Sequence, residues 1–203
     1  RNRTEKSYDS KMPAMVPQDL PVVIIANEGS ASASEILAGA LSENDRALFV
    51  GTRTFGKGSV QTVRQLLDGH AAIKLTTAHY YLPSGRNIHR TGEDDEQWGV
   101  DPSEGCYVPM DADEVRAMMK ARREGELNRL LGKGGDQKQV TPQWIEETLK
   151  DRQLARAYQA TLGRLETGQW PKVGQDNVEE LVKLRKRDQL LEQKERLQEA
   201  LDK

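Results

Sequence analysis

Cysteine is almost absent from this 203-residue chain. Cys106 alone provides neither an intrachain disulfide framework nor a cysteine-based zinc site. His70, His79 and His89 do not fall in an H-E-x-x-H spacing, so metal catalysis is not expected. Long apolar runs are missing as well: the longest, Pro21–Ala26, is far too short to span a bilayer. An excess of one charge is also lacking, since 30 Lys and Arg stand against 32 Asp and Glu for a net charge of -2. That balance, with no basic tail or run, leaves no electrostatic footprint for nucleic acid or an anionic membrane surface. The first residue is Arg1 rather than Met, which reads as a fragment of a longer protein. What is present, 36% hydrophobic and 31% charged residues, is enough for one sizeable core and barely for two.

Composition divides the chain near residue 110. Residues 1–110 carry 25 charged side chains and the remaining 93 carry 37, a density too high for a second large independent core. The first part holds short apolar or alternating runs bounded by Gly, Pro and Asn, predicting strands over Val22–Ala26, Ala47–Val50, Ser59–Val63 and Ala71–Leu82. His70 follows Asp68-Gly69 in a predicted hairpin turn. Between the first two strands, Ile36, Leu37, Ala40 and Leu41 have helical spacing, and Ser32-Ala33-Ser34-Glu35 fits a capping box, which predicts a helix over 32–41. Strand, helix, strand is an α/β pattern. The second part predicts helices starting at Asp111 with Glu114, at Thr141-Pro142 and at Asp176, separated by Gly132–Gly135 and by Gln169-Trp170-Pro171. Trp144 and Trp170 read as helix-packing anchors. In the last helix Val178, Leu181, Val182, Leu184, Leu190, Leu191, Leu197 and Leu201 form an interrupted apolar stripe. It suits a solvated amphipathic helix packed on a neighbour, with a dimerising coiled coil as the alternative. The acidic run 93–96 reads as a solvated loop.

The chemistry-bearing segment is Asn27–Glu35, small residues between a buried strand and a helix. A serine in the first helical turn meets unpaired backbone N–H groups and the positive end of the helix dipole, which suits a developing oxyanion. The same residue, Ser32, can equally serve only as a cap, with Glu35 completing the box. Lys57 lies in Thr54-Phe55-Gly56-Lys57-Gly58-Ser59 after the second strand. It is either an ordinary solvated lysine or, if burial beside groups such as Phe55 leaves a neutral amine, a general base. Gly51–Gly58 also begins like a phosphate-binding P-loop, but Gly58 stands where a magnesium-binding Ser or Thr is needed and the sequence that follows reads as a strand. Cys106 has no histidine partner by spacing and reads as an unreactive small side chain.

Taken together, Ser30-Ala31-Ser32-Ala33-Ser34-Glu35-Ile36, Gly51–Gln61 and Tyr81-Leu82-Pro83-Ser84-Gly85-Arg86-Asn87-Ile88 resemble the carboxyl-terminal processing (tail-specific) serine proteases over roughly residues 21–102. The resemblance implies part of a ClpP/crotonase-like α/β core, a β-spiral, in residues 1–110, followed by an α-helical extension over 111–203. It also implies a Ser/Lys dyad: Ser32 as nucleophile, Lys57 as general base, Gln61 holding the lysine, and the Ala33 N–H as one oxyanion donor. No metal or organic cofactor is implied. As partners the resemblance implies protein or peptide substrates with apolar C-termini, and as place of action an extracytoplasmic one, the periplasm or cell envelope or the plastid lumen. A PDZ domain and a Gly-rich loop with the second oxyanion donor are expected before Arg1, and the C-terminal helices are candidates for a homo-oligomer contact or a regulator site. The alternative is a binding or scaffold protein of the same fold with weak or no hydrolysis. The chain departs from the family pattern at Glu43, where Asp is common, at Ser103 after Pro102, where an acidic residue is usual, and in an extra acidic loop over 90–97.

Overall fold

The structure, a computed structural model, describes residues 11–66, 69–92, 97–130 and 140–176, together with 181–183, 186–187, 190, 194 and 197–198. Its first unit is β1 (Val23–Ala26), α1 (Ala33–Glu43) and β2 (Leu48–Gly51). The two strands pair in parallel, Val23 opposite Leu48 through Ala26 opposite Gly51, with α1 as the crossover. The predicted α/β unit is therefore present, and the described residues are mixed α/β, with the four strands all before residue 80 and only helical elements from Ala112 onward.

β2 is buried along its whole length, as a strand covered on both faces must be. Its side chains alternate between two apolar clusters. Leu48 and Val50 join Cys106, Val108, Ala157, Ala160 and Val173, while Phe49 joins Ala26, Leu82, Ile88 and Val100. Ile36 of α1 packs on the second cluster. The first is closed by α4 (Arg152–Thr167), whose Ala155, Ala157 and Ala160 are buried and small enough to bring the helix against the strand pair. Trp170 lies against the same cluster, beneath the Arg164 guanidinium at 5.5 Å from the ring centroid, so its reading as an anchor holds. The change of composition at 110 is thus crossed by a shared core.

β3 (Ser59–Leu66) and β4 (Ala71–His79) form an antiparallel hairpin with Gly69 at positive φ in the connection. β3 runs three residues beyond the predicted Val63, because Gln65 and Leu66 still pair with Ala72 and Ala71. β4 stops short of the predicted Leu82. The chain there turns, with the Gly85 N–H donating to Leu82 O at 2.8 Å and Glu43 accepting the Ser84 N–H and hydroxyl at 2.9 and 3.0 Å. Most of the hairpin is exposed, including Val63, Leu66, Ile73 and Leu75.

In the second half, α2 (Ala112–Leu130) starts where predicted, with Asp111 and Glu114 exchanging two hydrogen bonds of 2.8 Å each. Thr141 caps α3 (Pro142–Trp144), accepting the Trp144 N–H at 3.1 Å. The single helix predicted onward from Thr141 is instead broken. A π-helical turn over Ile145–Leu149 ends at Lys150 in the left-handed region, and Asp151 caps a new helix, α4, by accepting the Leu154 N–H at 2.9 Å. The break turns α4 onto the strand pair, a tertiary gain that the local sequence does not announce. Asp176, the start predicted for the last helix, is described and pairs with Lys172 at 2.9 Å, but residues 177–180 that follow it lie outside those described, as do the acidic run 93–96 and Val178, Leu184, Leu191 and Leu201 of the apolar stripe. Among the described residues no helix is long and apolar enough to cross a membrane.

Gly51 ends β2 with φ 145, and a Cβ there would lie 1.9 Å from Ala26 O, the carbonyl that accepts the Thr52 N–H. Gly51→Ala is expected to lower stability by at least about 1–3 kcal/mol through backbone strain alone, read from urea denaturation midpoints, with further loss from the displaced carbonyl.

Candidate active site

The turn between β1 and α1 is built on Asn27. Its side-chain oxygen accepts the Gly29 N–H at 3.0 Å, its carbonyl accepts the Ser30 N–H at 2.8 Å, and its own N–H donates to Ser30 Oγ at 3.2 Å. The three serines therefore differ. Ser30 Oγ is engaged within the turn, Ser34 is exposed on the helix, and Ser32 is half-buried at the N-cap with φ 61 and ψ -120. Among the described residues only Ser32, Asp45 and Lys150 are non-glycine residues with positive φ. A serine held in that strained conformation between a strand and a helix projects from a sharp elbow. The Ala33 N–H that follows belongs to the first helical turn, which offers it no intrahelical acceptor, and it has no other partner among the described residues.

The loop from β2 to β3 is brought to this elbow by one side chain, Glu35, which is completely buried. Its Oε2 accepts the Ser32 N–H and the Lys57 N–H, each at 2.8 Å; its Oε1 accepts the Gly56 N–H and the Thr54 hydroxyl, each at 2.6 Å. Ser32 and Lys57, 25 positions apart in sequence, thus share a single bridging oxygen through their backbones. The Phe55 N–H adds a 3.0 Å bond to Ser30 O. Thr54 Oγ1, having donated to Glu35, accepts the Val100 N–H at 2.8 Å, and Gly56 takes φ 92 to let the loop turn back over the carboxylate. Beneath the loop, Arg53 forms a bidentate pair with Asp101 at 2.6 and 2.8 Å.

The side chains of the predicted dyad are not engaged with each other. Lys57 and Gln61 are exposed, and among the described residues no hydrogen bond joins the Lys57 amine to Ser32 or Gln61. Phe55, the apolar neighbour available to desolvate the lysine, is 56% exposed. Lys57 leads into β3 with no helix N-terminus after it, which removes the P-loop reading. His79 ends β4, as predicted for a strand residue, and its ring lies tilted against that of His89, centroids 5.1 Å apart; His89 sits in an irregular segment rather than the predicted turn. Burial pushes the Cys106 thiol above its usual pKa, the condition of an inert cysteine.

Sequence reasoning missed the second role of Glu35, which it read only as a capping residue. Its signal was position: it shares the buried side of α1 with Ala38 and Gly39, where a charged residue needs partners. Thr54 and the Arg53–Asp101 pair had no comparable signal.

The pattern of peptidase family S41 matches residues 1–102. The chain belongs to this family. It is 35% identical over 168 residues to the carboxy-terminal-processing protease of Bartonella bacilliformis, an alignment covering 81% of the chain and 36% of that relative. It is 56% identical over 90 residues to the chloroplastic carboxyl-terminal-processing peptidase 3 of Arabidopsis thaliana, covering 44% of the chain and 16% of the relative. A probable CtpA-like serine protease of Staphylococcus haemolyticus is 43% identical over 89 residues, with coverages of 44% and 18%. Among solved structures, the photosystem II D1 C-terminal processing protease is similar at 41% identity, with a TM-score of 0.37 over 46% of this chain and 23% of that one. This member of family S41 spans about a third or less of the length of these relatives.

Three outcomes are expected at this site. Glu35→Ala leaves three backbone N–H groups and a hydroxyl without their acceptor and should destabilise the chain by at least about 1–3 kcal/mol. Glu35→Gln should also destabilise, because one arm of the amide turns donors toward donors. Ser32→Gly should be more stable than Ser32→Ala by about 1–3 kcal/mol, since glycine relieves the left-handed backbone. Denaturant titration of the variants checks each.

Proposed function

We propose that this chain carries the nucleophile and general base of a serine endopeptidase with a Ser32/Lys57 dyad, acting on protein substrates near their C-termini. The observation that carries the reading is the Glu35 carboxylate oxygen shared by the Ser32 and Lys57 amides, with Ser32 itself in a strained elbow. In the reaction, the Lys57 amine takes the Ser32 hydroxyl proton while Oγ attacks the peptide carbonyl. The Ala33 N–H donates to the oxyanion, and the Lys57 ammonium returns the proton to the leaving amine. Water activated by the same amine then releases the acyl group. Gln61, the third residue of β3 and four positions after Lys57, orients the lysine. A lysine base needs a desolvated amine, and substrate lying across exposed Phe55 and Lys57 supplies that desolvation.

The finer parts of the proposal concern a protein of the relatives' length. They are a β-spiral core of the ClpP/crotonase type, a PDZ domain and a second oxyanion donor contributed by other residues, recognition of an apolar substrate tail, an extracytoplasmic place of action in the periplasm or cell envelope, and a homo-oligomer or regulator contact through the C-terminal helices. Residues 1–110 carry part of the protease core. Residues 111–203 are the helical extension, of which α4 is built into the core.

One observation favours the scaffold reading instead: Lys57 is exposed and makes no hydrogen bond to Ser32. Proteolysis of an unstructured protein with an apolar C-terminus, by the protein at its natural length, separates the two. Ser32→Ala is expected to abolish cleavage, and Lys57→Ala to reduce it about 10²–10⁴-fold. Lys57→Arg should be equally inactive because guanidinium cannot accept the proton. Gln61→Ala should lose less, since it transfers no proton. Cleavage undiminished in Lys57→Ala overturns the dyad; substrate binding without cleavage by the unsubstituted protein makes the scaffold reading the better one.

A further inference from the structure

We infer that Gln153, at the start of α4 and outside the residues matched to the family, is a positioning residue for the turn that delivers Ser32; the inference rests on the reading of Ser32 as nucleophile. Gln153 is 4% exposed. Its Nε2 donates to Val108 O at 2.9 Å, which orients the amide so that its Oε1 faces the Asn27 side chain and accepts from Nδ2 at 3.4 Å. That contact in turn leaves Asn27 Oδ1 to accept the Gly29 N–H. Two side-chain amides thus form a directed relay from the core to the turn, in which each donor assignment sets the next. The far end of the relay is rigid. Val108 N–H donates to Gly51 O at 2.7 Å, tying the residue that carries this carbonyl to the end of β2.

The residues beside Gln153 hold it there. Asp151, 2% exposed, caps α4 and pairs with Arg122 at 2.5 Å, while Arg152 donates to Pro109 O and to Glu114, each at 2.7 Å. This junction follows the π-helical turn and the left-handed Lys150, the break that turns α4 toward the strands. Side chains at three successive positions thus reach back to α2, to residues 108–109 and to Asn27. Of these, Gln153 alone reaches the candidate site. Slack at Asn27 passes to Ser30 and Ser32, and small misplacements of a reacting group cost rate steeply.

The test uses the protein at its natural length. Gln153→Met keeps the volume and removes both amide functions. Asn27→Asp keeps the acceptor for Gly29 and replaces the donor to Gln153 with a charged carboxylate oxygen that opposes Gln153 Oε1. Amide hydrogen exchange at Gly29 and Ser30 is expected to quicken about tenfold in each variant, with the interiors of β2 and α4 unchanged. The kcat for cleavage is expected to fall about tenfold at a KM within about twofold, and the double variant to lose no more than the worse single one. An unchanged kcat in Gln153→Met, losses that multiply in the double variant, or exchange that quickens equally along the whole chain in both variants overturns the inference. If the Ser32→Ala variant cleaves as well as the unsubstituted protein, the nucleophile reading falls, and exchange at Gly29 and Ser30 decides the positioning by itself.

Discussion

A buried carboxylate facing only donors organises the candidate site. Glu35 is shut away from water, and a group of that kind is tolerable only when its acceptor capacity is used. Both of its oxygens are used twice, and all four donors come from the two segments that carry Ser32 and Lys57. The same contacts that make burial acceptable hold the β1–α1 elbow against the β2–β3 loop. The strained φ of Ser32 is sustained by them, because relaxing it would pull the Ser32 N–H away from the carboxylate. Thr54 extends the arrangement to Val100, so the carboxylate also reaches the segment under the loop.

A second constraint comes from the other face of the strand pair. β2 alternates its side chains between two clusters, and only one of them is completed by residues close to it in the first half of the chain. The other needs α4. Three alanines let the helix approach closely, and the break at Lys150–Asp151 aims it. A charged, helix-rich segment that looks separable by composition is therefore part of the packing that keeps β1 and β2 in place, and through Gln153 it touches the elbow itself. Of the 37 charged residues in 111–203, α2 carries nine and α4 only four, and the few small apolar residues of α4 do the packing.

Much of this was legible beforehand because local rules carried it. Val23–Ala26 and Leu48–Val50 are apolar runs between turn residues, and they became strands. Asp111 with Glu114 and Thr141 with Pro142 are cap chemistry, and they became caps. The motif residues of the site are named through a family resemblance, because their local pattern alone leaves Ser32 as either a cap or a nucleophile and Lys57 as either a solvated lysine or a base. Less legible were elements whose limits are set by partners: β3 outlasts its alternating run because Ala71 and Ala72 pair with its end, and the helix begun at Thr141 stops because α4 gains more by packing on β2. Glu35 carried a cap signature, which hid its larger role, since a capping box and a buried hub use the same residue type at the same spacing.

The sequence by itself determined the residue types, the α/β order of the first half, the helix starts at Asp111 and Thr141 and the candidate pair Ser32 and Lys57, since each depends on neighbours within a few positions or on a recognisable motif. Only the tertiary structure decided which of three serines occupies a strained elbow, that one carboxylate joins Ser32 to Lys57, that the lysine side chain stands exposed, and that α4 closes the core. Those outcomes depend on groups that meet across tens of residues, and hydrogen bonding and burial at such distances leave no periodic trace in the chain.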